Sequence, residues 1–130
     1  MENLVLTRID DRLIHGQVMT AWIKNKKATQ VVIVDDLVAE DDYMIEVLEM
    51  AIPEEIAIGI FNKEDGVTFF SQGLDEPTIL LVKGPEVLNY LVESTLKKLM
   101  LEEWELEMIE VYYTKISLLV QKKMISSEHY

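Results

Sequence analysis

Four short apolar, β-prone runs recur along the first two thirds of the chain, and each is followed by a segment with helical spacing. The runs lie at about residues 3–9 (Leu4-Val5-Leu6-Thr7 with Ile9), 30–34, 56–61 and 78–82. The second, Val31-Val32-Ile33-Val34, does not alternate with polar residues, which is the pattern of a strand covered on both faces in a parallel sheet. Between the runs, Val18, Met19 and Trp22 fall at i, i+1 and i+4 before the polar Lys24 to Lys27 closes the segment. Met44, Val47, Leu48 and Ala51 fall at i, i+3, i+4 and i+7, and Pro53 stops that pattern. A weaker helix is expected over residues 65–72, ending at Gly73. Another starts at Gly84-Pro85-Glu86, with proline in the first helical position and Val87, Leu88, Leu91 and Val92 as its apolar face. Strands alternating with helices predict an α/β domain on a mainly parallel sheet.

Bulk properties remove several function classes. At 130 residues, about half of them apolar, one domain with a real core is expected. A net charge of −12 opposes binding to nucleic-acid phosphates or an anionic membrane surface. The absence of cysteine excludes disulfides, thiolate metal sites and cysteine nucleophiles. No run reaches the roughly 20 apolar residues of a membrane span, and the start of the chain lacks a signal-peptide pattern. A soluble, cytoplasmic protein is expected.

Chemistry-bearing residues concentrate in Arg8-Ile9-Asp10-Asp11-Arg12-Leu13-Ile14-His15-Gly16-Gln17-Val18, at the junction of the first strand and first helix. Ligands of parallel α/β sheets bind beyond the carboxyl ends of the strands, which brings this cluster, Asp35-Asp36, Asn62 and Lys83 to one edge. A histidine at a helix N-terminus has backbone N–H groups that favour an anion or a ring-borne phosphoryl group. Arg8 and Arg12 add donors matched to phosphate oxygens, and Asp10 or Asp11 can hold one ring nitrogen protonated while the other acts as nucleophile. Gly16 permits close approach to the backbone. The combination suits a phosphohistidine. The competing reading is structural: solvated ion pairs at strand ends and a lone boundary histidine. Asp35, Asp36 and Lys83 also suggest the acidic pair and lysine of a phosphate receiver, but the third strand ends in Asn62 where that family needs its aspartate. Helix capping is the preferred role for Asp35 and Asp36.

The 8–18 segment resembles the signature of the IIB component of the mannose, fructose and sorbose family of the phosphoenolpyruvate-dependent sugar phosphotransferase system. The resemblance continues through Val31-Val32-Ile33-Val34, Val38-Ala39 and residues 80–93, covering about the first 94 residues. It implies a three-layer α/β/α fold on a mainly parallel sheet. It also implies a cytoplasmic phosphocarrier, peripheral to the membrane through its permease partners, that takes a phosphoryl group from a IIA phosphohistidine and passes it to a sugar entering through membrane IIC/IID components. By this resemblance His15 is the phosphorylated residue, on its Nδ1, and Arg8, Asp10, Arg12 and Gln17 bind and orient phosphate. No metal or other cofactor is implied. The alternatives are a non-catalytic regulatory or interaction module on the same fold, and a degenerate IIB chain inactivated by its altered C-terminus.

That alteration begins after Ser94, where the family has a Gly-Gly-Met loop and further strand and helix segments. Here Thr95-Leu96-Lys97-Lys98-Leu99-Met100-Leu101-Glu102-Glu103-Trp104-Glu105-Leu106-Glu107 stands instead. Joining the last base of each codon to the first two of the next gives a different sequence. Trp104 followed by Glu105 must yield Gly, and Met100 followed by Leu101 yields Val or Ala. With permitted codons for the neighbours, the segment reads Asn-Val-Gly-Gly-Met-Gly, the missing motif. A frameshift near Ser94 or Thr95 is therefore expected, leaving residues 95–130 a tail not selected for this fold, with the family's last strands altered or missing. Leu96, Leu99, Met100 and Leu106 have helical spacing that would extend the helix begun at Pro85. Val111-Tyr112-Tyr113-Thr114 and residues 116–120 are β-prone, and His129 is given no role.

Overall fold

The computed structural model describes residues 3–13, 16–101 and 114. Among these, four strands form one parallel sheet: β1 (Leu4–Ile9), β2 (Gln30–Val34), β3 (Ala57–Phe61) and β4 (Thr78–Val82), in the order β1-β4-β2-β3. The helices that connect or follow them are α1 (Gly16–Lys26), α2 (Asp36–Ala39), α3 (Asp42–Met50), α4 (Lys63–Ser71) and α5 (Pro85–Leu101).

The apolar run of β2 behaves as its lack of alternation requires. Val31 and Ile33 face one core cluster with Met19, Ile23, Val38 and Leu48, while Val32 and Val34 face the other with Val67, Phe70, Leu88 and Leu91. β4 divides likewise, with Ile79 and Leu81 on the first face and Leu80 and Val82 on the second. Helices α1 to α3 therefore cover one side and α4 and α5 the other, giving the expected three-layer α/β/α arrangement. Each such buried Val, Leu or Ile contributes about 1.5–3 kcal/mol of transfer free energy, so the two central strands anchor the domain.

β1 contains an irregularity with consequences for the site. Leu4 pairs with Thr78 and Leu6 with Ile79, a bulge that inserts one residue. Without it Leu4 and Leu6 would point the same way; with it Leu4 enters the α4–α5 cluster and Leu6 the α1–α3 cluster. Arg8, two residues past Leu6, then faces α1.

The structure adds to the sequence reading at several places and corrects it at others. The short helix α2 was not expected; Asp35 caps it by accepting from the Val38 N–H at 3.0 Å. Helix α4 begins at Lys63 instead of 65, because Asn62 caps it by accepting from the Asp65 N–H at 2.7 Å, and Gly73 follows it at φ +85°. Helix α5 does run on past Ser94, with Leu99 fully buried and Leu96 packed at the core's margin. Met100, expected on the same apolar stripe, is 60% exposed, since one further residue turns it about 100° away from Leu99. Thr114 is helical and exposed, against the β-prone reading there. Leu106, residues 111–113, residues 116–120 and His129 lie outside the described residues.

Candidate functional site

The four strands end level with one another. Ile9 is in register with Val82, Val82 with Val34, and Val34 with Phe61, so the next residues, Asp10, Lys83, Asp35 and Asn62, line the carboxyl edge of the sheet. β1 and β4 are neighbours, yet the helices after them lie on opposite faces. Divergence of that kind opens a crevice at the strand ends, where parallel α/β proteins bind ligands.

On the β1 side the crevice is bounded by a tight turn. The Asp10 N–H donates to the Val82 carbonyl at 2.9 Å, carrying the β1–β4 ladder one residue past the strand. Asp10 Oδ1 then accepts from the Arg12 N–H at 2.9 Å, an aspartate-capped turn, and the Leu13 N–H closes the loop on the Asp10 carbonyl at 3.0 Å. Leu13 lies in the left-handed region at φ +58° with its side chain only 2% exposed. Arg12 Nε is 3.7 Å from Asp10 Oδ1, with its side chain 74% exposed, so this ion pair contributes at most about 1 kcal/mol and the guanidinium stays available to solvent. Asp10 is thus a residue that shapes the turn, a role its charge pattern did not reveal.

Ile14 and His15, with the histidine of the expected phosphoryl transfer, lie outside the described residues. The chain on either side is defined: Leu13 is pinned into the core and Gly16 opens α1. Gln17 is the second residue of α1; its side chain is outside the described part.

Arg8 projects toward α1, and its guanidinium carbon sits 3.9 Å from the centroid of the Trp22 ring. Its Nε is buried and, among the described residues, has no hydrogen-bond partner. The sequence pattern places Trp22 only on the apolar face of its helix and gives it no part in the site. An arginine on a strand beside a helix that carries tryptophan is the available signal, but the face of β1 is undetermined without knowledge of the bulge.

Farther along the edge, the carboxylates expected to cap helices divide in role. Asp35 is buried and does cap α2. Asp36 lies inside the first turn of α2, and its Oδ1 accepts from the Lys63 N–H at 2.8 Å, tying the start of α2 to the start of α4. The Lys63 ammonium is 3.8 Å from Asp36 Oδ2 and 5.0 Å from the Tyr90 ring centroid. Among the described residues, no group of three or more histidines and carboxylates is arranged to hold a metal ion. Nor is any helix among them long and apolar enough to cross a membrane.

The family of proteins described as the PTS system sorbose subfamily IIB component matches residues 4–121 of this sequence. The chain belongs to that family. The IIB match continues past Ser94, where the motif-level resemblance stops. The N-acetylgalactosamine-specific phosphotransferase enzyme IIB component 2 of Escherichia coli is 39% identical over 82 residues, 63% of this chain and 52% of that protein. The fructose-specific EIIB component of Bacillus subtilis is 33% identical over 96 residues, 72% of this chain and 59% of that protein. The chain therefore spans little more than half the length of these IIB relatives. The solved IIBSor domain of the sorbose permease from Klebsiella pneumoniae superposes with a TM-score of 0.66 at 33% identity, over 71% of this chain and 58% of that one. The α/β architecture described above is that of these IIB domains.

Proposed function

We propose that this IIB-family chain is a cytoplasmic phosphocarrier in which His15 accepts a phosphoryl group from a IIA phosphohistidine and passes it to a sugar imported by membrane IIC/IID components. One observation carries the reading: the 8–18 motif falls on the β1–α1 junction at the divergent carboxyl edge of the sheet. A mannose-specific EIIAB component of E. coli, 32% identical over 94 residues, joins A and B designations in one chain and supports a IIA donor.

In the transfer, a lone pair of the His15 ring forms a new N–P bond as the donor's N–P bond breaks and its electron pair returns to the donor ring. The donor ring takes up a proton, and the second nitrogen of the His15 ring releases one. Charge spread over the phosphoryl oxygens in such a transition state calls for preorganised donors. Arg12, exposed at the tip of the turn, Arg8 and the N–H groups at the start of α1 are the groups assigned to it, with Gln17 and Asp10 orienting. Delivery to the sugar forms an O–P bond to a hydroxyl as the His15 N–P bond breaks and its electron pair returns to the ring. The proton given up by the hydroxyl balances the one the ring released, which regenerates the neutral imidazole.

The test is incorporation of labelled phosphate from a phosphorylated IIA protein into the full chain. Acid-labile label that is lost in His15→Ala supports the carrier. No label in the full chain overturns it. Label recovered only when a Gly-Gly-Met tail replaces residues 95–130 identifies a degenerate carrier, the reading favoured by the altered sequence after Ser94.

A further inference from the structure

We infer that Trp22 is a positioning residue for phosphoryl transfer, an aromatic platform that fixes the Arg8 guanidinium; the inference rests on the phosphocarrier reading above. At 3.9 Å from the ring centroid, the guanidinium is within contact of the indole face. Stacking of this kind occupies the flat faces of the cation and leaves its in-plane N–H donors for an oxyanion, so an arginine can be immobilised without losing the groups that bind phosphate. Arg8 has need of such a platform, because its Nε is buried and makes no hydrogen bond among the described residues, a position that is costly unless the cation is compensated in another way. The half-buried Trp22 supplies that compensation from a ring packed against the α1–α3 core cluster, beside Met19 and Ile23 of the same helix.

The placement links two parts of the site that the sequence separates. Arg8 belongs to β1, whereas Trp22 rides on α1, the helix that starts one residue after His15. The contact therefore ties the Arg8 guanidinium to α1, and misplacement of such a group by about 1 Å costs up to ~100-fold in rate. Without the bulge between Leu4 and Leu6, Arg8 would point to the opposite face and the stack could not form.

Phosphotransfer rates from a phosphorylated IIA protein to the full chain test the inference, using Trp22→Phe, Trp22→Leu, Arg8→Ala and the Arg8→Ala/Trp22→Leu double variant. Trp22→Phe keeps a π face and is expected to stay within about threefold of the unsubstituted chain. Trp22→Leu keeps apolar bulk alone and is expected to lower kcat by roughly 10- to 100-fold with little change in the KM for the donor. The loss should vanish in the Arg8→Ala background. Equal rates for Trp22→Leu and the unsubstituted chain, or an equal loss with and without Arg8, would overturn the assignment and leave Trp22 as packing only. Should Trp22→Leu fail to fold, the NMR position of the Arg8 Nε proton in the unsubstituted chain decides: an upfield ring-current shift retained in Trp22→Phe supports the platform, and a random-coil position overturns it. Absence of any transfer to the unsubstituted chain overturns the phosphocarrier reading, and this assignment with it, whatever that proton shows.

Discussion

Leu13 donates its backbone N–H to the carbonyl of Asp10 at 3.0 Å while holding a left-handed φ of +58°, so a buried leucine closes the turn two residues before His15. A β-carbon in that conformation costs about 1–2 kcal/mol, which the burial of the side chain at 2% exposure must offset. The motif's leucine is thus an anchor that holds the loop against the α1–α3 core.

Truncation of that anchor should unfasten the loop. Leu13→Ala is expected to destabilise the chain by about 2–3 kcal/mol, as for other large-to-small core changes, and Leu13→Gly by less than its size suggests because the backbone strain is released. Urea denaturation midpoints measure both. A Leu13→Ala midpoint equal to that of the unsubstituted chain would show that the leucine is not an anchor.

The carboxylate of Asp10 is held to a turn-shaping role by its bond to the Arg12 N–H. Amide exchange at Arg12 should quicken by about tenfold in Asp10→Ala, the loss of one hydrogen bond of about 1 kcal/mol or slightly more, and should change little in Asp10→Asn, which keeps an acceptor. Equal exchange in Asp10→Ala and the unsubstituted chain counts against this bond.

Asp35 and Asp36 are adjacent but should respond differently. Asp35→Ala removes a buried helix cap and is expected to cost about 1–2 kcal/mol. Asp36→Ala removes a bond and an ion pair in which both side chains are about half exposed, and should cost about 1 kcal/mol or less, with a dependence on salt that Asp35→Ala lacks. Thermal midpoints at low and high salt separate the two; a larger loss for Asp36→Ala would reverse the assignment.

Thr95 is 1% exposed and its hydroxyl has no hydrogen-bond partner among the described residues. Thr95→Val keeps the shape and removes the unsatisfied group, so a gain of about 1 kcal/mol, a rise of several degrees in the thermal midpoint, is expected. A fall would mean that the hydroxyl is satisfied in solution.

The nucleotide sequence across the codons for residues 94–107 tests the proposed change of frame. Asn-Val-Gly-Gly-Met-Gly should be readable in the neighbouring frame. A coding sequence that cannot encode it there refutes the frameshift. Helix α5 passes through Thr95 and still buries Leu99, because leucine, lysine and methionine sustain a helix whatever frame supplied them.

Much of this protein was fixed by local pattern. Non-alternating runs such as 31–34 specified buried parallel strands, helical spacing and Pro85 specified their connections, and the 8–18 motif specified the family, since each signal depends only on neighbours in the chain. Tertiary structure alone decided the rest. Which face Arg8 meets depends on a bulge between two leucines that both read as strand, and Trp22 becomes part of the site only when α1 lies against that face. The tasks of Asp10, Asp35 and Asp36 likewise depended on which backbone N–H each carboxylate meets. A side-chain period records alternation but not its origin, and a one-residue insertion reverses every face beyond it.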